Sequence, residues 1–156
     1  MSDQFDFIAA DDRPALLAFS TPEWLDTVRT SVKELGYKVH TAATHSDFLI
    51  RFSQVRYQLV VLEECFAANS IEENLTLRAL QTMQMGQRRH ATVILLGASF
   101  QTFTPMQAFQ ASVHAVISTS ELFLIKQLIE KAVADNTMFL HSFREASHRV
   151  YMSSKG

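Results

Sequence analysis

The chain has 156 residues, 47% of them hydrophobic and 19% charged, which suits one domain with its own core and is too short for two of ordinary size. Its 14 Lys and Arg against 16 Asp and Glu give a formal net charge of −2, so charge supplies no reason to expect nucleic acid or an anionic membrane as partner. A single cysteine, Cys65, excludes a disulfide framework or a cysteine-built zinc site within the chain, and four Gly with three Pro are too few for a largely disordered polypeptide.

In chain order, residues 1–13 read as an acidic arm with no continuous apolar stretch; they do not resemble a signal peptide, and the expected compartment is the cytosol. Ala15 to Phe19 is the first strand candidate, followed by Thr21-Pro22, a cap and a first-turn proline for a helix with Leu25, Val28, Val32 and Leu35 on one face and Gly36 as its stop. Lys38 to Ala42 is the second strand, and a helix from near Ser46 presents Phe48, Phe52 and Val55. Leu59 to Leu62 is the third strand. Ser70 and Glu73 are spaced as a capping box for a helix carrying Leu77, Leu80 and Met83 that stops near Gly86. Arg88-Arg89-His90 reads as a solvated basic loop before the fourth strand, Val93 to Leu96. Thr104, Pro105 and Gln107 open a helix with Met106, Phe109 and Val113 on its face; Ala115 to Ile117 is the fifth strand, and a last helix opens near Ser118 or Ser120 and runs through Ile125, Leu128, Ile129 and Ala132.

Four of these five strands are apolar without alternation, as a parallel sheet covered on both faces requires. Five strand–helix units with right-handed crossovers predict an α/β, flavodoxin-like, doubly wound five-stranded parallel sheet of order 2-1-3-4-5. No glycine fingerprint follows the first strand, so no dinucleotide site is expected. The domain is expected to span residues 14–134, with a helical extension over 135–156. In that extension Phe139, Phe143, Ala146 and Val150 continue an apolar stripe beyond the length a sheet needs covered, which points either to a helix folded back on its own domain or to a protein partner, most simply a second copy in a homodimer.

In the order and spacing of these elements the chain resembles a bacterial response-regulator receiver domain, from about Pro14 to Val133. ALLAFSTPEWLDTVRTSVKELGYKV resembles a receiver's first strand, helix and second strand; YQLVVLEE resembles its third strand, and ATVILLGAS and HAVISTSEL its fourth and fifth. NSIEENLTLRALQTMQ, RRH and DNTMFLHSFREA are similar to receiver-like domains that follow a zinc ribbon in uncharacterised bacterial proteins. The resemblance implies a phosphoacceptor site at the carboxyl ends of the strands. An acidic pair and an aspartate hold magnesium there, the aspartate attacks the phosphoryl group, and a hydroxyl and a lysine neutralise it.

This chain departs from that pattern at every position. Phe19 and Ser20 stand for the acidic pair, Glu63 for the acceptor, Gly97 for the hydroxyl and Ser118 for the lysine, followed by Thr119 where receivers carry proline. Asp11-Asp12 is rejected as the acidic pair because it would place some two dozen residues, broken by Thr21-Pro22, ahead of Gly36. The resemblance therefore implies the fold without phosphotransfer: a pseudo-receiver acting as a protein-interaction module in bacterial signalling or regulation, with no catalytic residue, cofactor or metal. The competing expectation is a small-molecule sensor or enzyme using the crevice at the strand ends. Glu63 and Glu64 are expected on a solvated acidic rim, the alternative being a permanent imitation of an acyl-phosphate, with Glu63→Gln leaving stability nearly unchanged while weakening partner binding; Cys65 is expected to be packed and unreactive, the six His too scattered for a metal, and the aromatic residues mostly core.

Overall fold

A computed structural model describes residues 7–155; Met1 to Asp6, within the acidic arm, lie outside the described residues. Five parallel strands form one sheet in the order β2-β1-β3-β4-β5: β1 Pro14–Ala18, β2 Lys38–Ala42, β3 Leu59–Glu63, β4 Thr92–Gly97 and β5 Ala115–Ser118. The helices are α1 Pro22–Glu34, α2 His45–Gln54, α3 Leu75–Thr82, the single turn α4 Met85–Arg88, α5 Pro105–Ala111 and α6 Ile125–Lys155.

Alternate side chains of the buried strands feed two cores. Leu16, Val60, Leu62, Val93, Leu95 and Val116 pack under Phe48 and Phe52 of α2, Leu77 and Leu80 of α3, and Ala108 and Ala111 of α5. Ala15, Leu17, Leu59, Val61, Ile94, Leu96 and Ile117 pack under Val28 and Val32 of α1 and Ile125, Ile129 and Ala132 of α6. The sheet is thus covered on both faces, which is why its strands read as continuous apolar runs. α1 ends as its sequence predicts: Gly36 has φ +94°, its N–H reaches the Lys33 carbonyl and the Tyr37 N–H reaches Val32, the paired bonds of a Schellman stop.

α2 begins at His45, beside the expected start near Ser46, capped by Thr44, whose hydroxyl accepts from the Asp47 N–H. Several other local expectations are corrected. Ser70 and Glu73 make no capping box: Ser70 precedes a 3-10 turn, Ile71–Glu73, without a side-chain cap, and Glu73 accepts from the Asn69 N–H. Asn74 caps α3 instead, its Oδ1 accepting from the Leu77 N–H at 3.1 Å. That helix stops at Thr82, ahead of Gly86. The Thr104 hydroxyl donates to the Gln101 carbonyl and Gln107 accepts from the Gln101 N–H, so this pair closes the preceding loop rather than the helix end. A 3-10 turn, Thr119–Leu124, intervenes before α6. Phe109 and Phe123 are exposed and outside the core.

Arg88 departs most from its expectation. Its guanidinium is buried and donates to the Leu80 carbonyl at 2.7 Å and the Ser112 carbonyl at 2.6 Å, joining the end of α3 to the left-handed end of α5. His90 stacks on Phe52 with its ring centroid 5.4 Å away, and both ring nitrogens are buried without a hydrogen-bond partner. Burial, then the Arg56 charge, push the His90 imidazole below its ordinary value of 6.5. Burial and the nearby Arg88 do the same to His114, whose Nδ1 accepts from the Val93 N–H.

Arg88→Met is expected to cost about 2 to 4 kcal/mol in a urea titration, because it strands two carbonyls that the guanidinium satisfies. The histidines set a pH dependence. The unfolded chain protonates them near 6.5 while the folded chain resists until lower pH, so stability is intact above 6.5 and falls as pH drops below it. His90→Phe, which keeps the stack on Phe52, is expected to flatten that decline between pH 7.5 and 5.5; an unchanged slope would assign it to other groups.

Candidate functional site

The strand register brings the five positions to one end of the sheet. Glu63, the last residue of β3, lies beside Leu96; Gly97, the last of β4, lies beside Ser118, the last of β5; and Phe19 and Ser20 follow β1, the other neighbour of β3. Asp11 and Asp12 lie in the turn before β1, at the opposite end of the sheet, where Asp12 Oδ2 accepts from the Ala9 N–H at 2.7 Å. They take no part in the site.

Glu63 is not on a solvated rim. It is 4% exposed, and its carboxylate accepts from the Ser20 and Thr21 N–H groups, both at 3.0 Å, and from the Thr21 hydroxyl at 3.2 Å. Those two N–H groups lie immediately ahead of α1, so the carboxylate occupies the positive end of the helix dipole. Thr21 stands at the cap position the sequence indicates, yet its hydroxyl makes no capping bond because it serves Glu63. The donors around this carboxylate are neutral groups of the β1–α1 connection, the segment where the receiver pattern puts a metal-binding acidic pair.

The remaining positions are likewise filled from within. Phe19 is buried in the core under α1. Ser20 Oγ accepts from the Ala67 N–H at 2.7 Å, holding the loop after β3 at a residue with φ 48°. The Ala67 carbonyl is held from its other side by His45 Nε2, while His45 Nδ1 accepts from the Thr76 N–H. At Gly97 a Cβ would collide with the Glu64 carboxylate, so the missing side chain is the space Glu64 occupies; Glu64 also accepts from the Ser99 N–H at 3.4 Å. The Ser118 hydroxyl bonds Ser120 Oγ and caps the turn that follows, and the Ser118 N–H donates to Thr102 Oγ1.

Asn74, 1% exposed, donates from Nδ2 to the Glu63 and Glu64 carbonyls while its Oδ1 caps α3, tying that helix to the strand end. Sequence reasoning missed it, although an Asn directly ahead of the periodic run LTLRAL is a cap signal. Thr21 and Glu64 carried no such signal for their roles here, since both act on residues distant in sequence. Cys65 is partly buried; burial, then Glu64, Glu63 and Glu72, push its thiol upward, away from the reactive thiolate. Among the described residues no three His, Cys, Asp or Glu side chains converge as metal ligands.

Beside the site lies a cavity of about 590 Å³ between α3 and α5, with Glu64, Asn74, Arg78, Ser99, Phe100 and Gln107 among its walls. Among the described residues no helix is long and apolar enough to cross a membrane.

The chain matches no protein-family model and no curated protein. Its structure, however, matches a response regulator receiver domain protein, CheY-like, from Methanospirillum hungatei with a TM-score of 0.63, at 15% identity over 82% of this chain and 98% of that one. The fold is that of a receiver. A putative response regulator from Chloroflexus aurantiacus matches with a TM-score of 0.63 at 10% identity, covering 80% of this chain and 99% of that one. NtrX from Brucella abortus matches with a TM-score of 0.62 at 17% identity over 88% of this chain, and this chain spans 29% of that one. At these identities the likeness concerns the fold alone.

The Glu63 contacts replace the expectation of near-neutral substitution. In Glu63→Gln the amide oxygen can keep both N–H bonds and the Thr21 hydroxyl can turn to accept, so only charge assistance is lost, about 1 kcal/mol. Glu63→Ala abandons all three donors beside a buried cavity and is expected to cost about 2 to 4 kcal/mol in a urea titration. Equal midpoints for both variants and the parent chain would return Glu63 to a solvated position.

Proposed function

We propose that this receiver-fold domain is a pseudo-receiver: a non-phosphorylatable protein-interaction module in bacterial signalling or regulation, without catalytic activity. One observation carries the reading. The carboxylate at the phosphoacceptor position is buried and already saturated by Ser20 and Thr21, with the Glu64 carboxylate folded over Gly97 beside it. An incoming phosphoryl group would meet two carboxylates and the core side chain of Phe19 where the reaction needs a magnesium ion and a lysine. A domain held in one arrangement by these bonds presents the same surface continuously, as a constitutive partner rather than a switch.

The competing reading, a small-molecule sensor, has the cavity between α3 and α5 in its favour, with apolar walls at Leu77 and Phe100 and amide groups at Gln107 and Gln110. It does not require phosphotransfer either, and ligand-induced thermal shifts that vanish in Phe100→Glu would favour it.

Incubation with acetyl phosphate and magnesium is expected to leave the intact mass unchanged, both in the parent chain and in Glu63→Asp, because the acidic pair is missing in each. Acid-labile phosphate on Glu63 or Glu64 would overturn the reading.

A further inference from the structure

α6 is a 31-residue helix, about 46 Å long, and only its first part has a sheet beneath it. Ile125, Ile129, Ala132 and Asn136 face the body and are buried, and Asn136 Nδ2 donates to Thr92 Oγ1 at the first residue of β4. Beyond that point the helix overhangs the amino-terminal end of the sheet, and residues 141–153 are exposed throughout. The buried stripe does not stop there. It continues at alternating spacings of three and four through Phe139, Phe143, Ala146 and Val150, of which Phe139 is 65%, Phe143 54% and Val150 70% exposed. His141, Arg144, Glu145 and His148 fall on other sides of the helix, where Glu145 pairs with His141 at 3.2 Å and Arg149 at 3.7 Å.

A stripe repeating every 3.5 residues is the surface one helix offers to another, and here it is continuous with the face already packed on the body. We propose that the overhang is covered by the same segment of a second copy, running antiparallel. This deepens the interaction reading above by naming the partner, and it rests on that reading.

The direction follows from the fold. In a parallel, in-register pair the second copy's stretch from Ile129 to Asn136 would have to lie against this copy's Ile129 to Asn136, where the sheet already sits. Run the opposite way, the second helix enters the space under the overhang from its free end, and each body stays at its own end of the pair. A recess of about 400 Å³, lined by Phe103, His114, Ala115, Ala132, Asn136 and Phe139, lies at the root of the stripe, in the corner where its tip would arrive.

Side-chain sizes fit the same arrangement. Centring the pair between Phe143 and Ala146 sets each Phe143 against Ala146 of the other copy and each Phe139 against Val150, so every layer joins a large group to a smaller one. Ser142 and Ser147 flank the seam, where like charges would otherwise oppose self-association. An overlap of about four turns buries on the order of 1,000 Å² in total, the lower bound for a specific interface, so association at micromolar concentration is expected.

Sedimentation equilibrium of the intact chain between about 1 and 100 µM tests pairing, with a monomer–dimer equilibrium expected and Phe139→Glu with Phe143→Glu weakening it at least ~100-fold. Helix content from circular dichroism shows whether that variant is folded. Orientation is read independently from spin labels in a Cys65→Ser background. Antiparallel pairing places labels at Ser153→Cys about 25 Å apart along the axis and labels at Ser147→Cys within about 12 Å, whereas a parallel pair brings both to about 10 Å. A chain monomeric at 100 µM, a dimer unaffected by the two Glu substitutions, or a short distance at position 153 overturns the proposal. A monomer would leave the account of Glu63 standing, since the acetyl phosphate experiment tests that separately.

Discussion

Burying a carboxylate at the end of a central strand is the constraint around which this molecule is organised. Left without partners, Glu63 would cost several kcal/mol. Its three donors all come from the β1–α1 connection, so satisfying one charge fixes how α1 leaves the sheet. The same strand end then fixes α3, because Asn74 uses one side chain to cap that helix and to bind the Glu63 and Glu64 carbonyls. It fixes the loop after β3 as well, through Ser20 and His45 on either side of Ala67, which offsets the steric cost of that residue's left-handed backbone. Groups that a receiver's chemistry requires to be free for an ion and a phosphoryl group are here spent on one another.

Those ties also explain which features were legible in the sequence. Strands covered on both faces announce themselves as unbroken apolar runs, and Gly36 announces the end of α1, because burial on two sides and a positive φ each leave a local mark. The sheet order follows from the same runs, since crossover rules leave few ways to wind five units. Arg88 and Glu63 left no such mark. A charged residue beside a strand reads as solvated unless its distant partners are known, and here the partners are carbonyls of Leu80 and Ser112 in one case and the groups of Ser20 and Thr21 in the other. The polar caps misled for a related reason. Ser, Thr, Asn and Gln side chains choose among several partners, and outside their helices the Thr21 hydroxyl chose the Glu63 carboxylate and the Thr104 hydroxyl the Gln101 carbonyl. The identities at Phe19, Ser20, Glu63, Gly97 and Ser118 were plain in the sequence; what fills the space around them was not.

The sheet edge adds a further limit on how this domain can associate. β5 is an edge strand, which would ordinarily offer unpaired groups to another chain. Here the preceding loop closes it: the Phe103 N–H bonds the Val116 carbonyl, and the Ser118 N–H bonds Thr102 Oγ1. Phe103 adopts φ 60° to do so, a conformation costing a bulky residue on the order of 1 kcal/mol, and Lys131 of α6 lies over its ring with the ammonium 5.4 Å from the centroid. Strand addition at this edge would have to undo those contacts before gaining any. Exposed apolar surface is left on helices instead, at Met106 and Phe109 of α5, at Phe123 in the turn before α6, and along the overhang. The overhang differs from the others in having both a continuous period and a direction, because its stripe is the extension of one already packed. A helix of this kind gains little from intrinsic propensity once it leaves the body, and its order past Asn136 depends on what covers it. In the proposed pair the segment would therefore couple assembly to local stability, because the surface that the second copy would bury is the one that lacks tertiary support in the single chain.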